Sequence, residues 1–182
     1  MAAKKKKTAP HKSVKTAKKK VSAIPRRYHS VTPFLVVHDA SAALDWYAKA
    51  LGGKVLARMP GPDGKLMHSE ILIGDSVVVV TDEMPGMGAR SAKSMGGSPV
   101  SLMIYIKDVD AAFAKARSAG AKVVMQVADQ FWGDRFGQLE DPFGLRWSMA
   151  TRTKDMTPKQ LSAAQDAFFA SMAAMGQQKA AS

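Results

Sequence analysis

Residues 32–57 read TPFLVVHDASAALDWYAKALGGKVLA, and residues 101–125 read SLMIYIKDVDAAFAKARSAGAKVVM. In both stretches an apolar run is followed by an aspartate, Asp39 or Asp108, then an alanine-rich segment, small residues and a Lys-Val pair that opens a second apolar run. Similarity at a fixed spacing indicates a repeated structural unit. Because there are two copies, we predict a duplicated domain with pseudo-twofold symmetry rather than a solenoid.

Each copy predicts the same order of elements, β-α-β-β-β, from its branched apolar runs and its helical spacing of apolar residues. In the first copy we predict strands at 31–37, 54–59, 65–73 and 76–81 and a helix at about 41–51. In the second we predict strands at 99–106, 122–127, 136–140 and 145–150 and a helix near 109–119. The fold class is therefore α+β, with module one at 29–82, an inter-module loop at 83–98 and module two at 99–152.

A further helix is predicted in the C-terminal segment, residues 153–182. Thr157, Pro158 and Gln160 match a helix start, with a capping hydroxyl, a proline in the first turn and a reciprocal glutamine. The apolar residues that follow at helical spacing are Leu161, Ala164, Phe168, Met172 and Met175, and we expect the helix to end at Gly176. Such a stripe typically covers a core or a dimer seam.

The net charge of +12 belongs almost entirely to the N-terminus. Eleven of the 27 basic residues and none of the 15 acidic residues lie within residues 1–27, so the rest of the chain is nearly neutral. We therefore expect residues 1–28 to be a disordered basic tail. The tail either contacts nucleic acid or an anionic surface through residues 4–27, or is a solvated appendage without a specific partner.

Composition excludes several kinds of chemistry. The chain contains no cysteine, so disulfides, thiolate nucleophiles and cysteine-based zinc sites are excluded. The chain has no run of about 18 consecutive apolar residues, so we predict no membrane span. The N-terminus also lacks the apolar core of a signal peptide, and we therefore expect a cytoplasmic protein.

The most specific motifs lie in the second copy. Residues 132–137 read WGDRFG, and residues 141–148 read DPFGLRWS. Together with His68-Ser69-Glu70 and the sequence IGDS at 73–76, these motifs resemble the PhnB-like, glyoxalase-like branch of the vicinal oxygen chelate superfamily. The superfamily includes glyoxalase I, bleomycin-resistance proteins and extradiol dioxygenases. The resemblance covers residues 30–152 and implies a curved mixed sheet around a central cavity, a small-molecule ligand and a homodimer.

The same resemblance implies four positions that bind a divalent metal in the metal-dependent members. Those positions are occupied here by Thr32, Val79, Ser101 and Ser148. Hydroxyl groups and a valine side chain are poor substitutes for histidine and carboxylate ligands. We therefore expect no metal and no other cofactor. A metal-dependent lyase, isomerase or dioxygenase with displaced ligands is the alternative.

His68 and Glu70 are two residues apart on a predicted strand, so their side chains share one face. The pair is a candidate for acid–base catalysis. Alternatively, it is a hydrogen-bonded pair that steadies the sheet.

Five residues are candidates for ligand binding, because aromatic rings beside a guanidinium suit a planar or anionic molecule. They are Trp132, Arg135, Phe136, Tyr105 and Arg146. The structural alternative is that Arg135 pairs with Asp134 to fix the loop while Trp132 and Trp147 lie in the core. The leading hypothesis is a metal-free binding protein, and the alternatives are the metal-dependent enzyme and a nucleic-acid-associated accessory acting through the tail.

Overall fold

The structure is a computed structural model, and it describes residues 21–180, with side chains described for residues 21–174. Module one consists of β1 Phe34–Val37, α1 Ala40–Leu51, β2 Lys54–Pro60, β3 Leu66–Ile73 and β4 Ser76–Asp82. Module two consists of β5 Ser101–Tyr105, α2 Val109–Ser118, β6 Lys122–Asp129, β7 Asp134–Glu140 and β8 Arg146–Arg152. A third helix, α3, spans Pro158–Ala180.

The two modules have the same topology. The strand order is β1-β4-β3-β2 in one sheet and β5-β8-β7-β6 in the other. In each sheet the first strand pairs in parallel with the last, and the remaining pairs are antiparallel. The predicted α+β fold with two β-α-β-β-β modules is confirmed.

The two aspartates of the repeat have one role, which is to begin the helices. The Asp39 carboxylate accepts a hydrogen bond from the Ala42 backbone N–H at 2.9 Å, and the Asp108 carboxylate accepts one from Ala111 at 3.0 Å. An N-cap of this kind satisfies a backbone donor that the helix itself cannot bond. The duplicated capping aspartate is therefore the physical reason why the two stretches resemble each other.

One face of each sheet is covered by helices. In β1, Leu35 and Val37 are buried, whereas Phe34 is 61% exposed, so alternate residues point to opposite sides. The buried side chains on the helix-covered faces of both sheets, together with those of α1 and α2, form a single hydrophobic core. The other face of each sheet points away from that core, and we call it the open face.

Side chains of α1 join the two modules. Trp46 Nε1 donates a hydrogen bond to the Ala119 carbonyl at 2.8 Å, at the end of α2. The Tyr47 hydroxyl donates to the Asp141 carboxylate at 2.9 Å, and the Tyr47 ring packs on Trp147 at a centroid distance of 5.4 Å. Trp147 is almost fully buried on the helix-covered face of module two, and it packs on Tyr47 of α1. The helix α1 therefore lies between the helix-covered faces of the two sheets.

The sheets are open and uncurled. Because both turn their helix-covered sides to the shared core, the open faces predicted to line a central cavity point outward on each module. Their edge residues are well exposed, including Phe34 in module one and Tyr105, at 58%, in module two. A single chain therefore presents two separate open faces.

The inter-module loop is fixed by Glu83. Its carboxylate accepts hydrogen bonds from the Ser94 hydroxyl at 2.6 Å and the Ser91 backbone N–H at 3.0 Å. The bond from Ser94, with those from Ser91, lowers the pKa of Glu83 from 4.5 to about 2. A depressed pKa means that the folded state binds this proton more weakly than the unfolded chain does.

We expect the stabilisation from Glu83 to be fully present above pH 4.5 and to be lost as the pH falls towards about 2. The variant Glu83→Gln should have a lower Tm than the wild type at pH 7, because it loses the charge-assisted hydrogen bonds. Thermal unfolding followed by circular dichroism from pH 7 to 2 measures the difference. A difference in Tm that stays constant down to pH 2 would contradict this role.

The helix α3 extends to Ala180, beyond the expected end at Gly176. Its Phe168 ring stacks on Phe131 at 5.0 Å, whereas Phe169 and Met172 remain 57% and 53% exposed. That the apolar stripe of α3 covers a dimer seam therefore stays a prediction. Most of the predicted basic tail lies outside the described residues. Within residues 21–180, no helix is long and apolar enough to cross a membrane.

Candidate functional site

The open face of module two carries most of the predicted ligand-binding residues. Register places Ser101 beside Arg146, Met103 beside Ser148 and Tyr105 beside Ala150. On the next strand, Gln138 pairs with Ser148 and Phe136 with Ala150, so each continues the same row. These rows run from a basic end at Arg146, through a polar centre, to an aromatic end. Four residues along a strand correspond to about 13 Å, which is the length of a small organic molecule.

The aromatic end is organised by Asp134. Its Oδ2 atom accepts hydrogen bonds from the Tyr105 hydroxyl at 2.8 Å and from Trp132 Nε1 at 3.2 Å. Trp132 also packs edge-on against Phe136 at a centroid distance of 5.7 Å. The carboxylate is buried, and its bond with Tyr105 raises the pKa of that hydroxyl. Three predicted residues, Trp132, Phe136 and Tyr105, are thus brought together.

The role of Asp134 is a correction to the proposed pairing of Asp134 with Arg135. Consecutive residues of a strand point to opposite faces, and both residues lie in β7. Arg135 is bound instead by Asp110 at 2.6 and 2.7 Å and by Asp129 at 3.3 Å. The structure therefore does not bring Arg135 to the open face. Trp147 lies in the core as the structural alternative predicted, whereas Trp132 is only half-buried.

The polar centre is a network that includes a residue missed by sequence reasoning. The hydroxyl oxygens of Ser101 and Ser148 are 2.8 Å apart, and Gln138 Nε2 donates to Ser148 at 3.0 Å. Gln138 shares a face with Phe136, because the two residues are separated by one position on β7. The alternation of the predicted strand 136–140 already places Gln138 on the face of Phe136 and could have identified it.

The four family metal positions do not fit a divalent cation. Ser101 and Ser148 bond to each other, and the Thr32 hydroxyl donates to the His29 carbonyl at 3.0 Å. The fourth position is the side chain of Val79, which has no donor atom. Within the part of the chain that the structure describes, no group of three or more histidine, aspartate or glutamate side chains could hold a metal ion.

The open face of module one carries the other predicted pair. Glu70 Oε1 lies 3.1 Å from His68 Nε2 and accepts a hydrogen bond from the Tyr28 hydroxyl at 2.6 Å. The bonds from Tyr28 and His68 lower the pKa of Glu70, and the same contact raises the pKa of Tyr28 to about 12. Tyr28 was missed because it lies at the end of the predicted tail and meets Glu70 only in the folded chain.

A cleft of about 590 Å³ lies between the modules, and Met103 and Tyr105 of the module-two open face form part of its wall. Its walls are mostly apolar and include Leu51, Ile73, Leu102, Ile104 and Trp147. Trp132, Phe136, Arg146 and Glu70 do not line it.

Known proteins resemble this chain over the two modules. Residues 27–149 match a family model described as the Glyoxalase/Bleomycin resistance protein/Dioxygenase superfamily. An uncharacterized protein of Mycobacterium bovis is 43% identical over 138 residues, which cover 74% of this chain and 91% of that protein.

Solved structures agree with that match. A gene product of Arabidopsis thaliana gives a TM-score of 0.55 at 28% identity, covering 68% of this chain and 98% of its own. A PhnB protein from Bacillus cereus gives a TM-score of 0.55 at 15% identity, covering 68% and 99%, and shares the fold alone. As its motifs predict, the chain belongs to the glyoxalase/bleomycin resistance protein/dioxygenase superfamily.

Proposed function

We propose that this protein binds a small planar molecule on the open face of module two, without a metal ion. The observation that carries the proposal is the set of three aromatic side chains, Trp132, Tyr105 and Phe136, arranged around one buried carboxylate. Aromatic surfaces held by fixed hydrogen bonds bind planar molecules at little cost in side-chain entropy. Arg146 at the other end of the face supplies a positive charge for an anionic substituent.

This site supports a binding function rather than a catalytic one. The groups that border the aromatic end are hydrogen-bonded to one another, and the family metal positions hold hydroxyls and a valine. Stacking on the aromatic rings, a hydrogen bond from the Gln138 amide and the charge of Arg146 would together hold a ligand on this face. We place this function in the cytoplasm, as the sequence leads us to expect.

We further propose that the working unit is a homodimer. The open faces leave large apolar side chains in solvent, including Phe34, Met103 and Tyr105 at 61%, 49% and 58% exposure. A second chain placed over an open face would bury these side chains and form the other wall of the ligand site. Analytical ultracentrifugation at micromolar concentration tests this arrangement, and a monomer that still binds ligand would contradict it.

Binding is measurable through tryptophan fluorescence, because the three tryptophans differ in exposure. Trp46 and Trp147 are buried, at 9% and 2%, whereas Trp132 is half-buried on the open face. We expect 2-naphthoate to quench Trp132 fluorescence in the wild type. Trp132→Leu removes this reporter, so its affinity is measured by isothermal titration calorimetry beside the wild type, and we expect binding about tenfold weaker through loss of one aromatic contact. Phe169→Leu, which removes an exposed ring of α3, serves as the matched control and should bind normally.

The charge at Arg146 is tested with a second pair of variants. Arg146→Gln should bind 2-naphthoate no better than the neutral 2-naphthalenemethanol, whereas Arg117→Gln on α2 should keep the preference for the anion. If the wild type bound both probes with equal affinity, Arg146 would not be the residue that recognises the anionic group.

Metal analysis distinguishes binding from the alternative, a metal-dependent lyase, isomerase or dioxygenase. The protein is treated with a chelator, reloaded with nickel, zinc or iron, and dialysed. One metal ion per chain, retained at micromolar affinity, would favour the enzyme and overturn the metal-free proposal.

A further inference from the structure

Glu70 is the charged member of an otherwise apolar row on the open face of module one. Register across the four strands places it between Ala57 on β2 and Val79 on β4, and Val79 is in turn beside Phe34 on β1. Val79 is buried, and Phe34 is exposed on the same face. A carboxylate in such surroundings is less well solvated than one on a polar surface.

The two side chains bonded to this carboxylate leave part of it available. Tyr28 and His68 both bond to Oε1, whereas no hydrogen bond from a described residue reaches Oε2. The side chains of Glu70 and His68 are 24% and 36% exposed, so a molecule on the open face can reach them. Because the bonds from Tyr28 and His68 lower the pKa of Glu70, the carboxylate is ionised at neutral pH.

The fold itself does not require a charge at this position. Glu70 pairs with Val79 in module one as Gln138 pairs with Ser148 in module two, so Gln138 is its counterpart by pseudo-symmetry. The counterpart of His68, two residues earlier, is Phe136. Module two therefore keeps the same strand geometry with a neutral amide and an aromatic ring. The carboxylate and imidazole of module one are a local chemical feature rather than a requirement of the sheet.

A bound cation would complete this group. Among residues 21–174, no lysine or arginine lies within salt-bridge distance of Glu70, and Arg27 acts on it only through its charge from farther away. A metal ion would need at least three converging protein ligands, and that cluster is absent from the described residues. A guanidinium binds best through both carboxylate oxygens, but Oε1 is already occupied twice. A compact ammonium group needs only one oxygen, and the neighbouring Tyr28 ring favours a cation.

We propose that Tyr28, His68 and Glu70 form a binding site for the protonated amine of a small apolar molecule. Oε2 of Glu70 accepts a hydrogen bond from the ammonium, and the exposed ring of Phe34, in the same row, contacts the rest of the molecule. The site lies on module one and does not depend on the planar-ligand site of module two.

The test compares benzylamine, protonated at neutral pH, with benzyl alcohol, which has nearly the same shape and no charge. Binding is followed by two-dimensional ¹H–¹⁵N NMR of the full chain. We expect the amine to bind about tenfold more tightly than the alcohol, as hydrogen bonds to charged groups usually do. The shifted signals should belong to β3, β4 and β1, including those of Glu70 and Val79.

Variants then isolate the carboxylate. Glu70→Gln keeps the shape of the side chain and should bind the two probes equally, whereas Glu140→Gln on β7 should retain the preference for the amine. Equal affinity of the wild type for both probes overturns the proposal, and so do shifts confined to module two. These two readouts on the wild type decide the question even if Glu70→Gln does not fold.

Discussion

Asp141→Asn is expected to lower the free energy of unfolding by about 2–4 kcal/mol, because its carboxylate bonds both modules together. Oδ1 accepts from the backbone N–H groups of Phe143 and Leu145 at 2.8 and 2.9 Å. Oδ2 accepts from the Tyr47 hydroxyl and from Trp147 Nε1, both at 2.9 Å. An asparagine can keep only one pair of these bonds, since its amide nitrogen is a donor that meets other donors.

Burial offsets part of that loss. Desolvation raises the pKa of Asp141, so the charged carboxylate is itself costly in the folded state. Removing the charge recovers some of this cost, which is why the expected loss is smaller than the sum of four charge-assisted hydrogen bonds. One pair of donors, either the backbone N–H groups of Phe143 and Leu145 or the side chains of Tyr47 and Trp147, nevertheless faces the amide nitrogen in the core, and that penalty dominates.

Tyr47→Phe is the matched control, because it removes one of the four hydrogen bonds and leaves the carboxylate in place. We expect this variant to lose about 1–2 kcal/mol. Urea unfolding at pH 7, followed by circular dichroism and tryptophan fluorescence, gives both values. If Asp141→Asn were no less stable than Tyr47→Phe, the buried carboxylate would not be the main link between the modules.

The sequence predicts the modules well because their signals are local. A capping aspartate, a helical stripe and an alternating strand are each encoded within about ten residues, and they recur in both copies. The order β-α-β-β-β follows from them.

The contacts between modules depend on long-range geometry that no local pattern contains. Tyr47 is a helix residue at an apolar position, and nothing around it indicates that it bonds to a residue 94 positions later. Within module one, Tyr28 likewise meets Glu70 across 42 positions. The contacts of Trp46 and Tyr47 with module two decide which way the sheets face, so the separate open faces could not be predicted from the repeat.

The sequence identified several residues of the candidate site but not which face of the sheet each one occupies. The motif WGDRFG identifies Trp132 and Phe136, yet we predicted that β7 begins at 136 rather than at Asp134. Two more strand residues fix the alternation, which turns Asp134 inward beside Tyr105 and sends Arg135 to the opposite face. The misplaced boundary therefore explains why Arg135 was grouped with Trp132 and Phe136, whereas Gln138 lay within the predicted strand and was not recognised as a site residue.

Gly133 fixes that boundary, and Gly133→Ala is expected to lower the free energy of unfolding by about 2–4 kcal/mol. The residue has φ +97°, a backbone conformation that costs an alanine about 1–2 kcal/mol. An added Cβ would also lie 2.7 Å from the Lys154 carbonyl oxygen, which cannot move without breaking local bonds. The Gly133 carbonyl itself accepts hydrogen bonds from the backbone N–H groups of Thr153 and Lys154, at 3.0 and 2.9 Å.

The same strain should reach the proposed ligand site, because Trp132 precedes Gly133 and Asp134 follows it. We therefore expect Gly133→Ala to weaken 2-naphthoate binding under conditions in which the variant is still folded. Gly144→Ala is the matched control: its φ is +84°, but its added Cβ would meet Ala92 at an ordinary 3.5 Å. Only the backbone cost of about 1–2 kcal/mol should then appear, with binding unchanged. Equal losses of stability in the two variants would show that backbone strain alone acts at Gly133, and that the contact with Lys154 does not hold the aromatic loop in place.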